Sequence, residues 1–216
     1  LVAPDEFIPL AESSTLICRL GRWVLEEALG QLARWTEQYG CPDLWVAVNV
    51  SGRHVSDARI IADVEHALEV SGVDRTRLVL ELTETIPIDD VRAMSHLDAL
   101  RRTGIGISID DFGTGYNSII QMQHLPIDSI KIDRSFLSST HRASHQLVVL
   151  IVEAAHAFGL QVIAEGVETT EQLRTLGEIG CDLAQGFLIS APVAPDAVHG
   201  LLTGRREVVF PLLAPS

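Results

Sequence analysis

Gly106-Ile107-Ser108-Ile109-Asp110-Asp111 decides the fold of this chain. Apolar β-branched residues alternate with small ones and the run stops on two carboxylates, so Gly106–Asp110 reads as a short buried strand with chemistry at its C-terminal end. Working outward, five more stretches repeat the design: Asn49 in Leu44–Val50, Glu81 in Leu78–Leu82, Lys131 in Ser129–Asp133, Glu165 ending Gln161–Glu165, and Gln185 in Leu183–Phe187. Each carries a polar residue at or near its C-terminal end, which is where an α/β barrel assembles its active site.

Helical patterns separate these strands. Pro4-Asp5-Glu6 starts a helix, with proline pre-set for the first turn and carboxylates facing the dipole, and Leu16–Tyr39 reads as a long amphipathic helix ended by Gly40-Cys41-Pro42-Asp43. Further helices are predicted over about 56–70, 89–102 and 144–158, from Thr169-Thr170-Glu171-Gln172 with capping-box spacing, and from Pro195. Alternating β and α at this spacing implies a parallel sheet. An open doubly wound sheet exposes only a few strand ends to its ligand, whereas here every strand end contributes a polar group. The expectation is therefore an α/β fold, a modified TIM (β/α)₈ barrel. Six strands are visible and a closed barrel needs eight, so the first two are expected upstream of Leu1; an opening on Leu1-Val2-Ala3-Pro4 without methionine fits a fragment.

Composition bounds the rest. The 216 residues suit one domain over 1–216, incomplete at its N-terminus, with a C-terminal tail over 205–216. A hydrophobic share of 47% and a mean hydropathy of +0.24 fit strands covered on both faces. The net charge of −13 argues against a DNA or RNA binder, which needs basic stripes, although a pocket of carboxylates and divalent cations still presents positive charge to a phosphate ester. Cys18, Cys41 and Cys181 lack CxxC spacing and point to a reduced, cytoplasmic setting. No apolar run has the length of a membrane span, and no signal peptide is visible.

Asp110-Asp111 is the most informative pair: one carboxylate can bridge two metals while its neighbour binds the second. Asn49 and Glu81 on the preceding strands add hard oxygen ligands suited to Mg²⁺ or Mn²⁺. Lys131 sits in an otherwise apolar strand, where a buried ammonium needs carboxylates or phosphates around it. Phe112-Gly113-Thr114-Gly115-Tyr116 is a loop whose glycines permit close backbone approach. Glu84 and Glu168, each three residues beyond a strand-end glutamate, read equally as supporting ligands or as solvated loop charges. His141 and His145 have metal-pair spacing but no HExxH, and are taken as surface residues.

Together, Asn49-Val50-Ser51, Glu81-Leu82-Thr83-Glu84, Asp110-Asp111-Phe112-Gly113-Thr114-Gly115-Tyr116, Lys131-Ile132-Asp133, Ala164-Glu165-Gly166-Val167-Glu168 and Gln185-Gly186-Phe187 resemble the EAL family of bacterial cyclic-di-GMP phosphodiesterases. The resemblance runs from Pro4-Asp5-Glu6-Phe7-Ile8-Pro9 to Pro192. It implies hydrolysis of cyclic di-GMP to linear pGpG with two Mg²⁺ or Mn²⁺ ions. By motif, Asn49, Glu81 and Asp110 would bind the first metal, and Asp110, Asp111 and Glu165 the second. Lys131 would hold the attacking water or a phosphate oxygen, Glu165 would act as ligand or base, Gln185 would orient the nucleophile's surroundings, and Glu84 would tether the Asp111–Tyr116 loop. Implied partners are cyclic di-GMP, a second copy in a homodimer, and a fused upstream diguanylate-cyclase-like or sensory domain.

The family's Glu-Ala-Leu signature is absent from this sequence, which implies that one metal ligand and a phosphate-binding arginine lie outside it and that the fragment by itself is impaired. Asn117 replaces a usual serine, and Ala191 stands where a basic residue commonly precedes the proline. The non-enzymatic alternative is a cyclic-di-GMP receptor or protein-interaction module derived from such an enzyme. An enolase-type barrel with Lys131 as base fits the Asp111–Tyr116 loop and Gln185-Gly186-Phe187 poorly.

Overall fold

The computed structural model describes residues 2–84, 90–113, 119–138 and 142–202. It holds one six-stranded parallel sheet in the order β1-β2-β3-β4-β5-β6, comprising β1 (Val46–Asn49), β2 (Leu78–Thr83), β3 (Gly106–Phe112), β4 (Ser129–Ile132), β5 (Gln161–Ala164) and β6 (Leu183–Ala184). Each strand pairs with the next in sequence, the order a barrel requires, and helices cover the outer face. The result is a half-barrel, as the alternating pattern predicts. Among the described residues no helix is long and apolar enough to cross a membrane.

The core lies between sheet and helices. Leu78, Leu80, Leu82, Ile107, Ile130, Ile132 and Val162 are fully buried and face outward onto the helical layer. Their neighbours at i±1 face the bore, so register alone stacks side chains in rows there. Asn49 pairs with Glu81, Glu81 with Ser108, and Ser108 with Ser129.

Helix α1 (Pro4–Glu12) begins on its proline, and α2 (Leu16–Tyr39) keeps the predicted bounds, closed by Gly40 at φ 65°. The helix predicted over 56–70 is α4 (Ile60–Ser71), starting four residues later, and a short α3 (Gly52–Ser56) that the pattern did not predict precedes it. The break falls at Asp57, which is extended at ψ 132° and whose carboxylate accepts from the Arg59 N–H and guanidinium instead of continuing the helix. Helix α5 (Val91–Arg102) is capped by Asp90. A short α6 (Arg134–Ser138) precedes α7 (Arg142–Ala157). Helix α8 (Thr170–Glu178) has the predicted capping box between Thr169 and Gln172. The helix expected from Pro195 is a 3₁₀ turn followed by α9 (His199–Leu202).

Strand β6 is two residues long where five were expected. Beyond Ala184 the chain turns onto the loop after β5: Gln185 N–H donates to the Ala164 carbonyl at 2.8 Å, and the Gln185 carbonyl accepts from Val167 at 3.0 Å. A Cβ on Gly186 would lie 2.2 Å from the Val167 nitrogen, so only glycine allows this approach. The C-terminal tail expected over 205–216 lies outside the described residues.

Candidate active site

The two aspartates owe their placement to a bulge. Ile109 pairs with Ile130 and Phe112 with Ile132, so Asp110 and Asp111 together stand opposite Lys131. Two residues against one bend the strand and re-aim its side chains, a device common beside active sites. Asp111 takes a left-handed φ of 55°, which costs a non-glycine residue about 1–2 kcal/mol. Its N–H is satisfied by Asp110 Oδ1 at 3.0 Å. A regular strand would have sent the two carboxylates to opposite faces; the bulge keeps one oxygen each from Asp110, Asp111 and Glu165 within 4.8 Å of one another.

Lys131 reaches into the same group. Its ammonium lies 3.0 Å from Glu81, 3.2 Å from Asp110 and 2.6 Å from Glu165, with the lysine only 4% exposed. Burial pulls its pKa down, but the hydrogen bond it donates to Glu165 and the charges of Glu81, Glu165 and Asp110 outweigh that and hold it above the usual lysine range. Burial raises the carboxyl pKa values of Glu81 and Glu165, a rise that Lys131 only partly offsets. Asp111 is raised by burial and then by the charges of Asp110 and Asp133. Four carboxylates (Glu81, Asp110, Asp111, Glu165) around one ammonium leave three negative charges at this strand-end surface. An all-oxygen, multiply charged donor set of this kind suits a hard divalent cation.

Around this centre the supporting contacts come from the loops. Gln185 Nε2 donates to Glu165 Oε1 at 2.5 Å. Glu84, itself 5% exposed, accepts from the Gly113 N–H at 3.1 Å, which fixes the start of the loop after β3. Gly113 has φ 95°, and a Cβ there would meet the Phe136 ring at 2.8 Å. Asn49 is exposed at the end of β1 in register with Glu81. Glu168 sits on the surface before α8, where its N–H donates to Gln172. Thr114, Gly115, Tyr116, Asn117 and His141 lie outside the described residues, and His145 is exposed on α7.

One contributor was not singled out from the sequence. Asp133 caps α6 through the Ser135 N–H and adds its charge to the field at Asp111. The signal was available, since period-two alternation puts residue 133 on the face of residue 131. Concavity by itself does not locate the chemistry: a groove of about 490 Å³ between α1 and α2, lined by Phe7, Leu10, Leu16 and Leu20, has Arg19 as its single charged wall residue. A cavity of about 320 Å³ inside the bore reaches Glu81 from below, past Trp45, Ile163 and Leu183.

Residues 1–192 match the EAL domain family. The bifunctional diguanylate cyclase/cyclic di-GMP phosphodiesterase MucR of Pseudomonas aeruginosa is 38% identical over 196 residues, covering 89% of this chain and 28% of that protein. Among solved structures, the EAL enzyme Bd1971 in its cAMP- and cyclic-di-GMP-bound form superposes with a TM-score of 0.89 at 33% identity, over 94% of this chain and 56% of that one. The PaMucR phosphodiesterase in complex with c-di-GMP superposes with a TM-score of 0.85 at 36% identity, over 91% of this chain and 81% of that one. The chain spans about a quarter to a third of the length of the curated relatives it matches. By fold, by the acidic strand ends around Lys131 and by this likeness over most of its length, the chain belongs to the EAL domain family.

Proposed function

We propose that this chain is the catalytic domain of a cytoplasmic cyclic-di-GMP phosphodiesterase that opens one phosphodiester of the cyclic dinucleotide to give linear pGpG. The observation that carries the proposal is the convergence of Asp110, Asp111 and Glu165 within 4.8 Å, with Lys131 bound to Glu81, Asp110 and Glu165 in the same layer. Mg²⁺ or Mn²⁺ held by Asn49, Glu81 and Asp110 and by Asp110, Asp111 and Glu165 would supply Lewis acidity and a water activated at neutral pH.

The protein's own groups do the rest. Lys131 presents a fixed positive charge to a phosphate oxygen or to the attacking water. Glu165, with its carboxyl pKa raised by burial, is suited to hold a proton from that water, and Gln185 fixes the Glu165 carboxylate by donating to Oε1. Glu84 accepts from the Gly113 N–H and so fixes the chain where it leaves β3. The free thiols Cys18, Cys41 and Cys181 accord with a reducing compartment. A homodimer and a fused upstream signalling domain complete the proposal.

The test is hydrolysis of cyclic di-GMP by the full-length polypeptide, followed as pGpG release. Turnover should require Mg²⁺ or Mn²⁺ and fall on addition of Ca²⁺, whose looser coordination misplaces the attacking water. Full turnover after exhaustive chelation overturns the metal-dependent mechanism. Tight binding of cyclic di-GMP without turnover would replace the enzyme with a receptor.

A further inference from the structure

The end of β1 is held by its ladder to β2 and, beyond it, from outside the sheet. Among the described strands β1 pairs with β2 alone, and Asn49 stands exposed at its C-terminal end. The turn that follows is pinned at His54. Val50 N–H donates to the Glu81 carbonyl at 2.8 Å, and Ser51 caps α3 by accepting from the His54 N–H at 3.2 Å.

The His54 ring is fully buried. Its Nε2 lies 3.1 Å from Asp63 Oδ2 on α4, and the other Asp63 oxygen lies 3.8 Å from the Arg22 guanidinium on α2. Among the described residues its Nδ1 has no hydrogen-bond partner; it points at Gly21 of α2, where an added Cβ would come within 2.5 Å. One imidazole therefore locks the short α3 to two long helices, and a helix glycine is spent to admit it. Glycine inside a helix costs about 1 kcal/mol relative to alanine, and an unpartnered buried nitrogen adds to that. An apolar side chain filling the same space would still need Gly21 and would spare only the unpartnered nitrogen. What it would lack is direction, because only the hydrogen bond to Asp63 fixes the ring's height along α4.

We propose that His54, clamped between Gly21 and Asp63, is a positioning residue that sets where the β1–α3 turn presents the Asn49 side chain to the cation site. The inference rests on Asn49 being a metal ligand, and its test separates the two claims. Mn²⁺ affinity is measured by electron paramagnetic resonance for the parent, Asn49→Ala, His54→Leu and the double variant, with thermal unfolding as a check on folding. His54→Leu should weaken Mn²⁺ binding about 10-fold, the size typical of groups that orient a ligand. In the Asn49→Ala background the same change should cost no more than about 2-fold, since the residue it acts through is gone. His54→Gln, which can still donate to Asp63, should restore most of the affinity. If His54→Leu does not fold, Gly21→Ala, which presses on the ring from α2, takes its place in the cycle. Independent losses that multiply, or unchanged Mn²⁺ affinity in a folded His54→Leu protein, overturn the positioning role. Unchanged affinity in Asn49→Ala overturns the ligand role of Asn49 and the inference with it.

Discussion

Replacing Lys131 by methionine isolates what holds the acidic centre together. The side chain is about the same length and apolar, so the substitution keeps the packing and deletes the charge. It leaves Glu81, Asp110 and Glu165, with side chains 10%, 16% and 16% exposed, facing one another without their common partner. Breaking a buried ion pair from one side costs about 3–5 kcal/mol, because the remaining charge is uncompensated. For a domain of this size each kcal/mol lowers the thermal midpoint by about 2–4 °C, so the variant should melt about 6–20 °C below the parent near neutral pH. The pH dependence gives a second check. Glu81 and Glu165 have carboxyl pKa values raised in the folded protein, so the folded chain keeps protons that the unfolded chain has released. Stability contributed by such groups is full below their unfolded pKa and is lost as pH rises through the folded pKa. Lys131 limits that rise; without it the window extends to higher pH. The deficit of the variant should be greatest at pH 8 and shrink as pH falls towards 5. Differential scanning calorimetry across that range reads both quantities. Equal midpoints at pH 8, or a deficit that does not change with pH, would refute the electrostatic account of this lysine.

Asp110→Asn keeps the shape of the bulge and removes the charge proposed to bridge two metals, so on that proposal several kcal/mol of charge stabilisation should go, lowering cyclic di-GMP turnover at least about 100-fold with little change in melting temperature. Near-normal kcat would remove Asp110 from the mechanism. Lys131→Ala should lower kcat more than it weakens substrate binding, measured in the same steady-state assay. Gly186→Ala forces a Cβ to 2.2 Å from the Val167 nitrogen; it should destabilise by about 1–3 kcal/mol in urea titration and loosen Gln185 from Glu165. Burial pushes the Cys181 thiol up to about 11, so its alkylation at pH 8 should run on the order of 100-fold slower than that of an unperturbed thiol. Its rate should rise about tenfold per pH unit towards that value; fast labelling at pH 8 in the folded chain would contradict the upward shift of this half-buried thiol.

Local pattern was enough to place most of the elements along the chain and to single out candidate site residues on them. Alternation located the strands, the Thr169–Gln172 spacing located the start of α8, and the polar strand ends made Asn49, Glu81, Asp110, Lys131, Glu165 and Gln185 the candidates. These signals are local because φ/ψ preferences and side-chain periodicity are properties of neighbouring residues. What the pattern could not specify was how strands and helices meet. The bulge that sets Asp110 and Asp111 together against Lys131 exists only in the pairing of β3 with β4. The turn of the chain at Gly186 onto Val167 cut β6 short. The buried meeting of His54, Asp63 and Gly21 joins residues on three helices that no shared period connects. In each case the deciding contact is between segments remote in sequence, and its geometry is fixed by register and packing once the sheet has formed.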